Sequence, residues 1–348
     1  MLGARAASRL MRRAAPALLV AGASLFGGAG RAADGVAASV ESRDATYWLG
    51  RIHEAAGRRN FQGTFVVSAG GSVASARIVH FCDGRNQYER IESLDGQKRQ
   101  VYRHNEVVHS FWPHRRLAVV ETRRAMNEFP ALLPANVGRI VEHYAVQPLG
   151  DGRVAGHEAH VLLLSPKDGY RYGYRLWAEK ASGLLLRAEV LDEHETVLEA
   201  SAFSDLMIGV KPRPELVLQA MNHTEGYEVQ RPAFEPTTLE REGWSFSALP
   251  PGFSPVSSVK RAMAPGEGEA GNGGGAHPVL QNIYSDGLTY VSLFIEPYDA
   301  TRHRREMLMA MGATQTLTRR QGDWWLTVIG DVPPATLRAF AAGLDRRP

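Results

Sequence analysis

A single cysteine, Cys82, in a chain of 348 residues excludes a disulfide framework, so the fold stands on its hydrophobic core alone. Long apolar runs are equally scarce. The apolar stretch "AAPALLVAGASLF" near the start falls short of the roughly 20 residues that a membrane-spanning helix needs. It follows Arg5, Arg9, Arg12 and Arg13 and precedes small residues at Ala29, Ala32 and Ala33, which is the order of a secretory signal peptide. Residues 1–32 are therefore expected to be a removed leader, with no cysteine at its end to carry a lipid. The mature chain is expected to be exported and soluble.

A charge of one sign is also missing. The chain has 40 basic and 37 acidic residues, and five of the arginines (5, 9, 12, 13 and 31) lie in the expected leader. Without them the balance is 35 against 37, a net −2, which leaves nucleic-acid binding without an electrostatic basis. G-x-S-x-G, C-x-x-C, Walker and H-E-x-x-H motifs are all absent.

What is present is mostly period two. After a helix expected over Ser42 to Asn60, with Trp48, Leu49 and Ile52 on one face, short alternating segments are divided by Gly70-Gly71, Asp83-Gly84 and Asp95-Gly96. A Pro-containing stretch with a short helix over 125–144 interrupts, placing Val137, Ile140, Val141 and Tyr144 on one face, and strands then resume to about residue 209. Some ten strands and two helices predict one large curved antiparallel sheet with helices on one face, over 33–209. A curved sheet that does not close offers a concave apolar face to a greasy ligand. Residues 210–243, rich in Pro and charge, read as a linker with one short helix. A second, smaller α+β domain is expected over 244–348, ending in a helix from Pro334 with a Leu337, Phe340, Ala341 and Leu344 stripe.

The candidate chemistry is thin. "GEGEAG" at 266–271 matches a dinucleotide fingerprint in letters only, since no helix follows to hold a pyrophosphate; it reads as a loop. His104, His109 and His114 recur at a spacing of five, which suits neither a helical nor a strand metal pair, so no metal is expected. Ser285-Asp286-Gly287 is written like an Asx turn, Asp accepting from its own backbone and Gly taking positive φ. Cys82, at the end of an apolar strand, reads as a buried inert thiol, and Met307, Met309 and Met311 as core, with adaptable contact surface the alternative. Aromatics along the first sheet, with Arg pairs at 115–116 and 123–124, would suit an amphiphile carrying acyl chains and phosphates.

The blocks "NFQGTFVVSAGGSVASARIVHFCDGRNQYERIESLDGQKRQVYR", "YRYGYRLWAEKASGLLLRAEVL", "LPPGF", "YSDGLTYVSLFIEP" and "MGATQTLTRRQGDWWLTVIGDVPPATL" resemble the RseB/MucB family of periplasmic sigma-E regulators across both domains. The resemblance implies α+β architecture: an unclosed N-terminal β-barrel with helices, LolA/LolB-like, and a smaller C-terminal domain. It also implies a periplasmic protein without enzymatic activity or cofactor. Its partner would be the periplasmic domain of an RseA/MucA-like anti-sigma factor, shielded from proteolysis until lipopolysaccharide or lipoprotein acyl chains bind; a homodimer is compatible with this. Acyl chains are expected among Phe65, Ile78, Phe81, Ile91, Phe111 and Trp112, and the partner at Tyr284, Leu288, Tyr290, Phe294, Trp324 and Trp325. Strand alternation predicts that several of these residues point elsewhere. A lipid or lipoprotein carrier, which would need no C-terminal domain, and an exported hydrolase are the competing readings.

Overall fold

A computed structural model describes residues 33–122, 129–134, 136–263 and 277–346. From Val40 onward the described residues pack as one compact unit built on a twelve-stranded and a seven-stranded sheet, with a further two-stranded pair. Helix α1 (Ala33–Arg58) begins nine residues before the expected Ser42 start. Its Leu49, Ile52 and Ala55 are buried against the large sheet.

Strands β1 (Phe61–Ala69), β2 (Ser72–Cys82), β3 (Gln87–Ser93), β4 (Gln100–His104), β5 (Val107–Trp112) and β6 (Leu117–Thr122) form the expected meander. Gly70, Gly71, Gly84 and Gly96 take positive φ at its turns. After the prolines at 130 and 134, helix α2 (Gly138–His143) is only six residues long. Ile140 and Tyr144 are buried beneath α1, with Val137 and Val141 packed beside them. Residues 123–128 and the Gly-rich stretch 264–276 lie outside the described residues, and "GEGEAG" with them.

The second run comprises β7 (Tyr144–Val154), β8 (His157–Pro166), β9 (Gly173–Glu179), β10 (Leu185–Leu191) and β11 (Val197–Ile208). Strand β11 returns to pair with β1, so both runs fuse into one sheet. The segment expected as a linker is part of the fold. Helix α3 (Pro214–Asn222) buries Val217 and Met221, one turn apart, against Phe81, Tyr88, Tyr102 and Phe111. Strand β12 (Glu228–Gln230) then adds to β6 in parallel, the one exception to the antiparallel pattern of this sheet. The resulting twelve-stranded order is β12-β6-β5-β4-β3-β2-β1-β11-β10-β9-β8-β7, with unpaired edges at β12 and β7: the sheet does not close.

The smaller sheet starts earlier than Trp244, at β13 (Phe234–Pro236). It continues, after β14 (Trp244–Phe246), with β15 (Ser254–Met263), β16 (His277–Ser285), β17 (Tyr290–Pro297), β18 (Met307–Met311), β19 (Thr314–Gln321) and β20 (Trp324–Gly330). Its order is β13-β15-β16-β17-β20-β19-β18. Helix α4 (Pro334–Gly343) starts on its proline as expected and packs Leu337, Phe340 and Ala341 on Leu293, Leu326 and Val328. Each such buried side chain contributes about 1.5–3 kcal/mol relative to exposure. Strand β21 (Leu344–Arg346) closes the end by pairing with β14.

Candidate functional site

The register of β1–β6 sorts the six sequence-selected apolar residues by face. Phe65 lies over Ala76, Ile78 over Ile91, and Trp112 over Leu117, so period two places Phe65, Ile78, Ile91 and Trp112 on the face that α1 also covers. Ile78 is buried in the core with Phe61 and Phe203, whereas Phe65, Ile91, Val101, Trp112 and Leu117 are half-exposed. Phe65 meets Phe129 at 5.7 Å between ring centroids, and the Arg99 guanidinium lies 5.2 Å above the Trp112 ring. The face therefore presents an apolar strip with a cation at its edge. Phe81 and Phe111 are on the opposite side, sealed under α3. The apolar pattern of the strands alone does not tell the two faces apart, because α1 covers part of one and α3 seals the other.

In the smaller sheet the six selected residues divide likewise. Tyr284 is core beneath α4, 5.3 Å from the Phe340 ring. Trp324 points the same way, its ring 5.6 Å from that of Trp244 and 4.7 Å beneath the Arg346 guanidinium. Tyr290, Phe294 and Trp325 share the face away from α4, where Trp325 stacks on His303 at 4.8 Å. Leu288 belongs to neither: it is buried with Leu49, Ile140 and Leu164 of the large-sheet core.

That placement of Leu288 follows from the Ser285-Asp286-Gly287 turn. Asp286 Oδ1 accepts from the Leu288 and Thr289 amides at 2.8 and 2.9 Å, and Gly287 adopts φ 108°, as an Asx-type turn requires. Its second oxygen does something that no spacing announced. Arg171, from the β8–β9 connection, donates from Nη1 to Asp286 Oδ2 at 3.2 Å, and Tyr144 donates to the same oxygen at 3.3 Å. Both charged side chains are wholly buried. Arg171 also bonds Asp168 Oδ1 at 3.0 Å and the Pro251 carbonyl at 2.6 Å. Nearby, Arg139 Nη2 donates to the Gly252 carbonyl and to Ser254 Oγ, and Thr336 donates to the Tyr170 carbonyl. Burial pushes the Tyr144 phenol well above its ordinary value, and the Asp286 charge pushes it further. Burial likewise lowers the His143 imidazole, with the Arg171 charge acting in the same direction.

A second seam lies at the other side of the junction. The β18–β19 turn sets Gly312 against the β1–β2 turn, where a Cβ on Gly312 would come within 2.7 Å of Ala69 Cβ. Gln315 donates to the Tyr172 hydroxyl at 3.4 Å, and the Ala313 amide bonds the Glu199 carboxylate. Burial, and then the charge of Asp331, raise the Glu199 carboxyl above its ordinary value.

Family models of the MucB/RseB N-terminal domain and C-terminal domain match residues 44–224 and 238–345. The chain belongs to the MucB/RseB family. Among curated relatives, "Sigma factor AlgU regulatory protein MucB" of Pseudomonas aeruginosa is 28% identical over 312 residues, covering 88% of this chain and 92% of the relative. "Sigma-E factor regulatory protein RseB" of Haemophilus influenzae is 25% identical, covering 86% and 91%. Among solved structures, the complex of P. aeruginosa MucA/MucB contains a chain similar to this one with a TM-score of 0.67 at 26% identity, covering 88% of this chain and 99% of that one. MucB crystallised in complex with MucA(peri) gives a TM-score of 0.66 at the same identity. The first family match ends inside the segment that α3 seals onto the large sheet, and the second begins just past β13, so the chain is a MucB/RseB protein on both sides of the junction.

In this MucB/RseB chain the remaining chemistry-bearing residues are structural. His104 stacks on Tyr88 at 4.8 Å, His109 Nδ1 lies 2.8 Å from the Met221 carbonyl, and His114 sits in a short turn. Among the described residues no group of His, Cys, Asp and Glu could hold a metal ion, and no helix is long and apolar enough to cross a membrane. Cys82 is half-buried, its sulfur accepting from the Gly84 amide at 3.3 Å. The methionines depart furthest from expectation. Met307, Met309 and Met311 are 37, 52 and 70% exposed, because β18 is an edge strand and its outer side has no neighbour to bury them.

Proposed function

We propose that this chain is a periplasmic negative regulator of an envelope-stress sigma factor. It binds the periplasmic domain of a membrane anti-sigma factor, shields it from regulated proteolysis, and is released when lipopolysaccharide or the acyl chains of a mislocalised lipoprotein bind. The observation that carries this reading is the likeness, along nearly the whole chain and across both domains, to MucB as it stands in complex with MucA. The chain acts by binding, without catalysis. Acyl chains are assigned to the strip of Phe65, Ile91 and Trp112 over the buried Ile78, with Arg99 beside it to meet a phosphate. The partner is assigned to the smaller domain, with Tyr290 and Phe294 on its open face and Trp325 buried on that face against His303; Tyr284 and Trp324 support that domain from within, and Leu288 packs in the large-sheet core.

Release requires the amphiphile to prefer the partner-free state, and the coupling is reciprocal: the bound partner must weaken amphiphile binding by the same factor. A carrier function would use the large sheet alone and would leave the smaller domain and the two seams without a role. The test is a titration of the mature chain against the purified periplasmic segment of its own cell's anti-sigma factor, with and without lipopolysaccharide. Tight binding that weakens as lipopolysaccharide is added supports the regulator. Retained lipid binding with no binding of the segment would establish the carrier instead.

A further inference from the structure

Strand β18 ends the smaller sheet, so alternate backbone N–H and C=O groups along it point outward with no ladder partner. Natural edges are usually blunted by charge, proline or brevity, yet this one reads Met307-Leu308-Met309-Ala310-Met311, and all five residues are exposed. Its register with β19 puts Met307, Met309 and Met311 on the open face with Thr318, Thr316 and Thr314. Leu308, opposite Leu317, faces the α4 side instead. There a groove of about 720 Å³ runs beside the edge, floored by Leu317, Ala341 and Ala342 and lined by Arg319, Arg320 and Arg338, with Glu306 the single carboxylate among its lining residues. Neither Arg319 nor Arg338 makes an ion pair among the described residues. Arg304 and Arg305, both exposed, precede the strand.

We infer that β18 is the edge to which the partner adds an extended acidic segment as an eighth strand of the smaller sheet. The inference rests on the regulator reading and gives its partner a place and a mode. Main-chain bonds would supply the pairing, and side-chain alternation would set the chemistry of the incoming strand. On one side its apolar residues continue the flexible methionine row, which adapts to varied shapes. On the other its carboxylates lie over Arg319 and Arg338, whose planar forks bind them bidentately. A second copy of this chain would offer Met307–Met311, a strand with no carboxylate, to Arg319 and Arg338, so an acidic segment is the better-matched occupant. The site also has a route to the lipid face. Met311 and Gly312, at the end of β18, abut the β1–β2 turn at Gly70, where a Cβ would come within 3.0 Å of the Gly312 nitrogen.

Hydrogen–deuterium exchange of the mature chain, alone and saturated with the periplasmic segment of its cell's anti-sigma factor, reads the β18 amides directly. The expected result is exchange at 307–311 slowed about tenfold or more on binding, a change easily resolved for amides that gain a strand partner. Met309→Glu and Arg338→Glu, both at exposed positions, should each weaken the segment about tenfold while leaving urea unfolding unchanged, as should replacing the segment's acidic residues by their amides. Binding that leaves β18 exchange unchanged, with both variants at full affinity, overturns the inference and spares the regulator reading. Failure of the wild-type chain to bind the segment removes both. Protection of β18 that appears without the segment and grows with protein concentration assigns the edge to a second copy and likewise overturns the inference.

Discussion

Replacing Asp286 by alanine removes the acceptor of four hydrogen bonds at once: two amides of its own turn, the Arg171 guanidinium and the Tyr144 hydroxyl. Arg171 keeps Asp168 and the Pro251 carbonyl, but its only wholly buried counter-charge among the described residues is gone. Because neither side chain is exposed, solvent cannot compensate, and breaking such a pair from one side costs about 3–5 kcal/mol. Asp286→Asn should cost less. It retains an oxygen for the Leu288 and Thr289 amides, while its NH2 group replaces the oxygen that accepts from Arg171 and Tyr144, and the charge opposite Arg171 is lost. The double variant Arg171→Met/Asp286→Leu removes both charges together and should be less destabilised than the sum of its single variants by about 1–3 kcal/mol. The assay is urea unfolding at pH 7, followed by tryptophan fluorescence and far-UV circular dichroism. The reasoning is refuted if Asp286→Ala lies within about 0.5 kcal/mol of the parent chain, the range of ordinary surface substitutions, or if the double variant equals the sum of the singles.

Gly312→Ala should destabilise the chain by about 1–3 kcal/mol in the same assay, since φ is +60° there and the new Cβ would meet Ala69 at 2.7 Å; Gly322→Ala, also at positive φ but in open space, should cost less. Glu199 carries a raised carboxyl in the folded state, so the fold gains from its proton: that contribution is present below the ordinary value of 4.5 and is lost as pH rises through the folded value. Glu199→Gln should therefore flatten the decline in stability over that window and raise stability at neutral pH, measured by thermal unfolding from pH 4 to 8. Phe61→Ala should cost about 3–5 kcal/mol as a wholly buried ring, whereas Trp112→Ala should leave stability nearly unchanged and lower the affinity for lipopolysaccharide in a fluorescence titration.

Much of the architecture was legible because it rests on local signals. Asp-Gly and Gly-Gly pairs marked the turns, period two marked the strands, and the Leu337–Phe340–Ala341 stripe marked α4. The Asx turn at Asp286 was legible for the same reason, but its pairing with Arg171 was not, since 115 residues separate the two and nothing local distinguishes a buried arginine from a solvated one. The face of each selected aromatic was legible only in part. Alternation separates Trp324 from Trp325 at once, yet it cannot say which of the two faces α4, and in β2 it could not reveal that α3 buries Phe81 from the other side. Val217 and Met221, the signal for α3, sit among prolines and charges that read as a linker. The methionines were misread through composition: apolar residues imply a core only where a neighbouring element arrives to cover them, and the strand order is a tertiary fact.

Strands β12 and β13 bear on how the two halves can part. One is hydrogen-bonded into the large sheet and the other into the small one, and only residues 231–233 lie between them. Fully stretched, that span reaches about 14 Å between the flanking Cα atoms. The halves are thus held on a short leash. They can pivot or slide by a few ångströms with every strand in place, but any wider separation must first peel a strand from one sheet or the other. A ligand that loosened the seams at Asp286 and Gly312 would therefore produce a hinge-like change of bounded amplitude, and its size would be set by three residues rather than by the strength of the ligand's binding.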